Sequence, residues 1–334
     1  MWSSVPLYRS LRLIERTLGI SRDRFHVQNL LKSKCFQPNV DRICQKIIDS
    51  GTFFPGQYTG MIALLWAKSH GLPENEDGLS WSLKCGVLPS QWILAENIEL
   101  LSAMILLDDS SLEHSELSQN QVGRSELFVD TDELLPRSTS CEKISTVDVL
   151  PCYKDIHHLV DNDLDGVIRN WEDNQIISKL LGEGCRKMAL LAEHDDDQQS
   201  VAYKFGKYFA LSSILAKNLI DLSQHPEKCT PRYHMPLFIF SSKNQELTSS
   251  EDFHCSITYQ KTMDAILNDS HIMETSRNLL QKYVEKCGEC LPTKDSNSTR
   301  TLQTLLRAVG STGHLSNHNQ EVKFQDQSHA NINS

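Results

Sequence analysis

The stretch QWILAENIELLSAMILL, residues 91–107, sets Leu94, Ile98, Leu101 and Ile105 on one stripe, with Glu96 and Glu99 off it. Apolar residues three and four apart share one face of a helix, whereas a strand alternates with a period of two. Working outward, the helical spacing recurs. Ile177, Leu180, Leu181, Met188 and Leu191 repeat it within residues 176–193. From Val201 onward, Phe205, Tyr208, Ser212, Leu215 and Leu219 continue one row, and small Ala210, Ser212 and Ser213 allow close approach by another helix. Residues 60–72, 263–286 and 301–309 read as further helices, and Leu7, Leu11, Ile14 and Leu18 suggest a first one. Strand-like alternation is almost absent. The run Leu237–Phe240 is the exception, and Pro236 before it suits the first turn of a buried helix. The chain reads as all-α.

Composition narrows the function. The chain has 334 residues, with 33 Lys and Arg against 43 Asp and Glu, a net charge of −10. Nucleic acid and anionic membrane surfaces need a broad basic face, so neither is expected as a partner. No apolar run approaches the roughly 20 residues of a membrane-spanning helix, so no transmembrane segment is expected. The 10 cysteines are spread too thinly for a disulfide-stapled secreted domain. Cys287 and Cys290 have C-x-x-C spacing, but without a second Cys or His pair a helix end with two free thiols is the better reading.

Two segments break the helical pattern. Residues 113–175 form an irregular acidic insert, rich in Ser, Asp and Glu over much of their length. Residues 311–334 are rich in Asn, His, Gln and Ser and read as a disordered tail. The division is therefore an N-terminal helical half at 1–112, the insert at 113–175, a C-terminal helical half at 176–310, and the tail.

Residues 91–113, with LAENIEL running into LLDDSSLE, resemble the helix of the trans-polyprenyl diphosphate synthase family that reads L-A-E-x-x-E-L and ends in D-D-x-x-D. FGKYFALSSILAKNLID, residues 205–221, resembles that family's F-G-x-x-L-G-x-A-F-Q-I-x-D-D-x-x-D. MALLAEHD at 188–195 followed by SVAYKFGK at 200–207 is most similar to the family's non-catalytic second subunits, those of decaprenyl and solanesyl diphosphate synthases. The resemblance covers residues 5–112 and 175–310, and implies a prenyl-synthase-like helical bundle.

In catalytic members, magnesium ions clamped between the two Asp-rich motifs hold the departing diphosphate. Here the first motif aligns as Asp109, Ser110 and Glu113, with Asp108 one place early; the second aligns as Lys217, Asn218 and Asp221. A lysine in place of a carboxylate reverses the charge beside a dication, which costs more than losing one ligand. The basic segment for the homoallylic diphosphate aligns with Gly56–Gly60, which holds no cation, and the Lys-Thr pair near the allylic diphosphate aligns with Ile177 and Ser178. The resemblance thus implies a regulatory or scaffold subunit with no catalytic residues of its own. Its partner would be a magnesium-bearing catalytic subunit 1, in a hetero-oligomer, a heterotetramer by family resemblance, that makes the ubiquinone side chain in mitochondria. Arg9, Arg12 and Arg16 against Glu15 have the flavour of a mitochondrial presequence, although the helical reading of residues 5–19 is preferred. The competing enzymatic reading is an active synthase whose metal site is rebuilt from Asp108, Asp109, Glu113 and Asp221.

Within the insert, residues 161–172 match the calcium-loop pattern D-x-[DN]-x-[DN]-G-x5-E. Asp161, Asp163 and Asp165 would supply oxygens, Gly166 the turn, Val167 a backbone carbonyl and Glu172 a bidentate carboxylate. Residues 152–172 resemble an EF-hand of the stromal interaction molecule type, which implies calcium as a ligand and a calcium-binding protein as the alternative function. Arg169 at the ninth position and the lack of a second loop weigh against it.

Overall fold

The structure, a computed structural model, describes residues 13–14, 16–19, 58–71, 86–115, 164–224, 234–243, 256–294 and 296–312. These residues are almost entirely helical, and none of them forms a strand. After the helical residues 13–14 and 16–18, the helices are α1 (Thr59–His70), α2 (Pro89–Ser115), α3 (Leu164–Asp173), α4 (Ile176–Leu191), α5 (Asp196–Gln224), α6 (Met235–Lys243), α7 (Ser256–Asn268), α8 (Ser270–Glu289) and α9 (297–312). The all-α reading holds. Among the described residues no helix is long and apolar enough to cross a membrane.

α4 is the hinge of the arrangement: it packs on α1, α2 and α5, while α5 reaches across to α8, α6 and α7. Aromatic rings fill the middle, with Trp66 of α1 6.4 Å from Phe205 of α5 and Phe205 5.7 Å from Phe209 between centroids. α1 is apolar all round, and every residue from Thr59 to Ala67 is buried, so this helix is core rather than surface.

A helix whose start is buried must find partners for its end groups. Tyr58, at the N-cap of α1, offers no side-chain acceptor. The acceptor comes from α2 instead: the Gly60 amide donates to Glu99 Oε2 at 2.8 Å, with Glu99 0% exposed, and Thr59 Oγ1 meets Ser102 Oγ at 3.0 Å. Gly60 is required by the same contact, since a Cβ there would lie 2.1 Å from the Ala95 carbonyl oxygen. The α4–α5 crossing is as close; a Cβ on Gly206 would lie 2.4 Å from the Leu181 carbonyl oxygen. Ser212 and Ser213, the small residues of the α5 row, are fully buried and both donate to the Phe209 carbonyl of their own helix.

Three boundaries differ from the sequence reading. Residues 263–286, expected as one helix, lie on two: Asp269 caps α8 by accepting from the amides of His271 and Ile272 at 3.0 and 3.2 Å, which ends α7. The expected insert closes early, because residues 164–173 are α3, with Val167 and Trp171 one helical turn apart and 1% and 0% exposed. The C-terminal helix runs on to residue 312, two residues into the expected tail. The remainder of that tail, and residues 116–163 of the insert, lie outside the described residues.

The turn from α4 to α5 is a Schellman motif. The His194 amide donates to Ala189 O at 3.1 Å and the Glu193 amide to Leu190 O at 3.0 Å, with Glu193 at φ 60°. Glycine is the usual occupant of that left-handed position. Asp195 then caps α5 through the Gln198 amide at 2.8 Å, and Asp196 and Asp197 face the positive end of the helix dipole.

Two stability changes follow from these ends. Glu193→Gly relieves a strained backbone and should raise the unfolding free energy read from urea denaturation by about 0.5–1 kcal/mol. Glu99→Ala leaves a buried amide without its acceptor and should cost about 2–3 kcal/mol, whereas Glu99→Gln keeps an acceptor oxygen and should cost clearly less. Equal losses for the two Glu99 variants in the same unfolding series would dismiss the capping role.

Candidate functional site

The two aligned acidic motifs lie on the C-terminal parts of α2 and α5. The backbone of Asp108, Asp109 and Glu113 belongs to α2, but their side chains lie outside the described residues. On α5, all three positions have internal partners. Lys217 is ion-paired with Asp221 one turn on, with side chains 27% and 5% exposed. Asn218 is buried, and its Oδ1 accepts from the Met235 amide at 3.1 Å, so it serves as an N-terminal acceptor for α6. His234, next to that amide, is buried; burial first, and then the Lys217 ammonium, hold its imidazole down at about 3.

These side chains do not fit a divalent cation. The Asp221 carboxylate is already compensated by a tethered ammonium, and the Asn218 oxygen holds a backbone amide. A metal would have to displace a cation and undo the start of α6. What the arrangement can do is lock α6 to α5 through charge and hydrogen bonding.

The other aligned positions are likewise structural. Tyr58 and Gly60 are buried at the α1–α2 contact, while Gly56 and Gln57 lie outside the described residues. Ile177 is buried, and Ser178 donates to the Gln175 carbonyl at 2.7 Å, closing the first turn of α4.

The expected calcium loop takes a different form where it is described. Asp161 and Asp163 lie outside the described residues, but Asp165, Val167 and Glu172 are on α3, which is helical from Leu164. An EF-hand loop needs Gly166 at a sharp turn and the Val167 carbonyl aimed at the ion. Here both residues are helical and buried. Glu172, the expected closing ligand, accepts a 2.6 Å hydrogen bond from Tyr283 Oη, and Lys207 Nζ lies 3.2 Å from its other oxygen. Hydrophobic burial of Val167 and Trp171 outweighs the local loop propensity of an Asp-rich stretch.

This Glu172 cluster joins three helices. Tyr283 on α8 is 1% exposed, and burial, reinforced by the Glu172 carboxylate, raises its phenol well above the ordinary range. Tyr208 stacks on Tyr283 at 6.1 Å, and Lys286 sits 4.9 Å over the Tyr208 ring. No spacing rule links residues 172, 207 and 283, so only the matched charges of Glu172 and Lys207 hinted at such a pairing.

The C-x-x-C pair sits where the helix-end reading put it. Cys287 lies in the last turn of α8 and Cys290 at its C-cap, both with free thiols. Cys287 Sγ donates to the Phe205 carbonyl at 3.6 Å, and burial pushes its thiol, like that of Cys185, well up. Such thiols are poor nucleophiles and poor metal ligands. Among the described residues no group of three or more His, Cys, Asp or Glu side chains converges on a metal position.

The fold and these contacts define an all-α protein whose described polar clusters act as internal braces. Comparison with known protein families, with characterised proteins and with solved structures found no match to this chain.

Calcium should therefore leave the protein unmoved. Isothermal titration with Ca2+ is expected to give the same heat for the wild type and Asp161→Ala, because filling the loop would require α3 to unwind and Glu172 to leave Tyr283 and Lys207. A saturable heat lost in the variant would show that α3 does rearrange.

Proposed function

We propose that this chain is a non-catalytic regulatory or scaffold subunit of a hetero-oligomeric trans-polyprenyl diphosphate synthase. In this reading it works in mitochondria beside a catalytic subunit 1 that carries the magnesium and elongates the ubiquinone side chain. The observation that supports it best is the Lys217–Asp221 ion pair on α5, with Asn218 committed to α6. These are the positions where the resemblance places metal carboxylates, and here each is used to brace the bundle. A subunit so built contributes by holding its partner in shape, as closed hetero-oligomers allow.

The rebuilt-site reading needs Asp221 to hold a metal, and the Lys217 ammonium opposes that directly. The calcium-binding reading has no observation in its favour over this one, since Glu172 is engaged by Tyr283 and Lys207.

Purified alone, the chain should show no Mg2+-dependent elongation of farnesyl or geranylgeranyl diphosphate. Co-expressed with a catalytic subunit bearing intact D-D-x-x-D motifs, it should co-purify and raise that subunit's turnover. Robust elongation by the lone chain, or failure to associate with any such subunit, would reject the assignment.

A further inference from the structure

The end of α8 places two thiols on one turn, a feature that the proposed function leaves unused. The Cys290 amide donates to the Cys287 carbonyl at 3.1 Å, and the Leu291 amide repeats the pattern onto the Gly288 carbonyl at 3.1 Å. Bonds of this i to i+3 kind tighten the last turn in the 3₁₀ manner, in which side chains three apart eclipse and three residues advance by about 6 Å. A disulfide spans about 4.4–6.8 Å between Cα atoms, so the backbone already holds the two cysteines within reach of each other.

Neither sulfur is tied down strongly. Cys287 Sγ donates across to the Phe205 carbonyl of α5 at 3.6 Å, and Cys290 Sγ donates back to the Lys286 carbonyl at 3.3 Å. A thiol is a weak donor, so turning either side chain about its Cα–Cβ bond gives up little. The two differ in access. Cys287 is 0% exposed, whereas Cys290 is 8% exposed at the C-cap, between exposed Gly288 and Glu289 on one side and half-buried Leu291 and Pro292 on the other. A Cβ on Gly288 would meet nothing within 4 Å, so there is open space on the turn that joins the pair. Helix ends fray before helix interiors, which makes Cys290 the sulfur that a solute meets first.

We propose that Cys287 and Cys290 form a reversible dithiol–disulfide site that exchanges with low-molecular-weight disulfides of the glutathione class. The Cys290 thiolate attacks one sulfur of the oxidant to form a mixed disulfide, and the other sulfur leaves as a thiolate that takes up a proton. Cys287 gives its proton to solvent and attacks Cys290 Sγ, which closes the ring and expels the second small thiol. Two protein thiols are oxidised while one small disulfide is reduced to two thiols, so electrons and protons balance. Burial keeps both sulfurs mainly protonated, which slows the first step. Proximity favours the second, because the attacking sulfur stands one turn from its target. Closing the disulfide withdraws the Cys287 donor from the Phe205 carbonyl, so oxidation is felt at the α5–α8 contact.

The test is to incubate the folded full-length chain with excess oxidised glutathione, alkylate the remaining thiols in denaturant and map the peptides by mass spectrometry. In the wild type, the peptide carrying Cys287 and Cys290 should become lighter by two hydrogens and carry no glutathione. Its rate of formation should rise on the order of tenfold per pH unit through the neutral range, following the thiolate fraction. Cys287→Ser should stall as a glutathione adduct at Cys290, and Cys290→Ser should leave Cys287 reduced. Cys185, 0% exposed on α4, should be recovered as a thiol throughout, which shows that exchange takes place in the folded chain. A stable glutathione adduct in the wild type, a bond from either cysteine to a different one, or oxidation only in step with Cys185 overturns the proposal. So do thiols that stay reduced under conditions that oxidise the same pair in urea.

Discussion

The Glu99–Gly60 hydrogen bond is the contact on which the rest of the architecture leans. α1 is buried from Thr59 to Ala67, so the orphan amides at its start cannot turn to water. A carboxyl oxygen from α2 supplies the acceptor at the positive end of the helix dipole. The same crossing demands glycine at residue 60, where any side chain would run into the backbone of Ala95. Once α1 is held in this way, Trp66 sits where Phe205 can pack on it, and α4 can close over both α1 and α2.

This way of ending a helix is repeated. Asn218 of α5 accepts from the first amide of α6, His194 donates to the carbonyl that closes α1, and Gln91 donates to the Met188 carbonyl of α4 at 2.9 Å. Each is a side chain of one helix, or of one turn, attending to the end of another. Local caps such as Asp269 and Asp195 occur as well, but they secure ends where the chain turns back nearer solvent. Side-chain capping at a distance ties the order of the helices to their packing, because an end is satisfied only when the correct neighbour is docked.

That division explains what the amino-acid sequence made legible. The stripes at Leu94, Ile98 and Leu101, and at Ile177, Leu180 and Leu181, announce helices because burial and periodicity are local properties of the chain. Pro236 likewise marks the first turn of α6 from its own geometry. The role of Glu99 could not be read in this way. A glutamate just off an apolar stripe is normally solvated, and only the arrival of Gly60, 39 residues earlier, turns it into an interior acceptor. The Asp-rich match at residues 161–172 left the helix at 164–173 unread for the converse reason. Its pattern describes what a loop would supply to an ion, but Val167 and Trp171 bury themselves as a helix face, and that apolar burial decided the conformation.

The acidic side chains also bear on the contrast between a catalytic and a supporting protein. A general acid, a metal ligand or a diphosphate-binding group must keep some capacity in reserve, as a lone pair, a charge or an open face. Glu172 is held by Tyr283 and Lys207, Asp221 is compensated by Lys217, and Glu99 grips a backbone amide in a site closed to water. In each case the side chain is used where it stands, to fix one helix against another or to hold one turn of a helix to the next. Removing Lys207 or Lys217 would leave a mostly buried carboxylate without its cation. A bundle braced in this manner uses its inward-facing charged and acidic side chains to hold helix against helix, which is what the supporting role proposed above would ask of it.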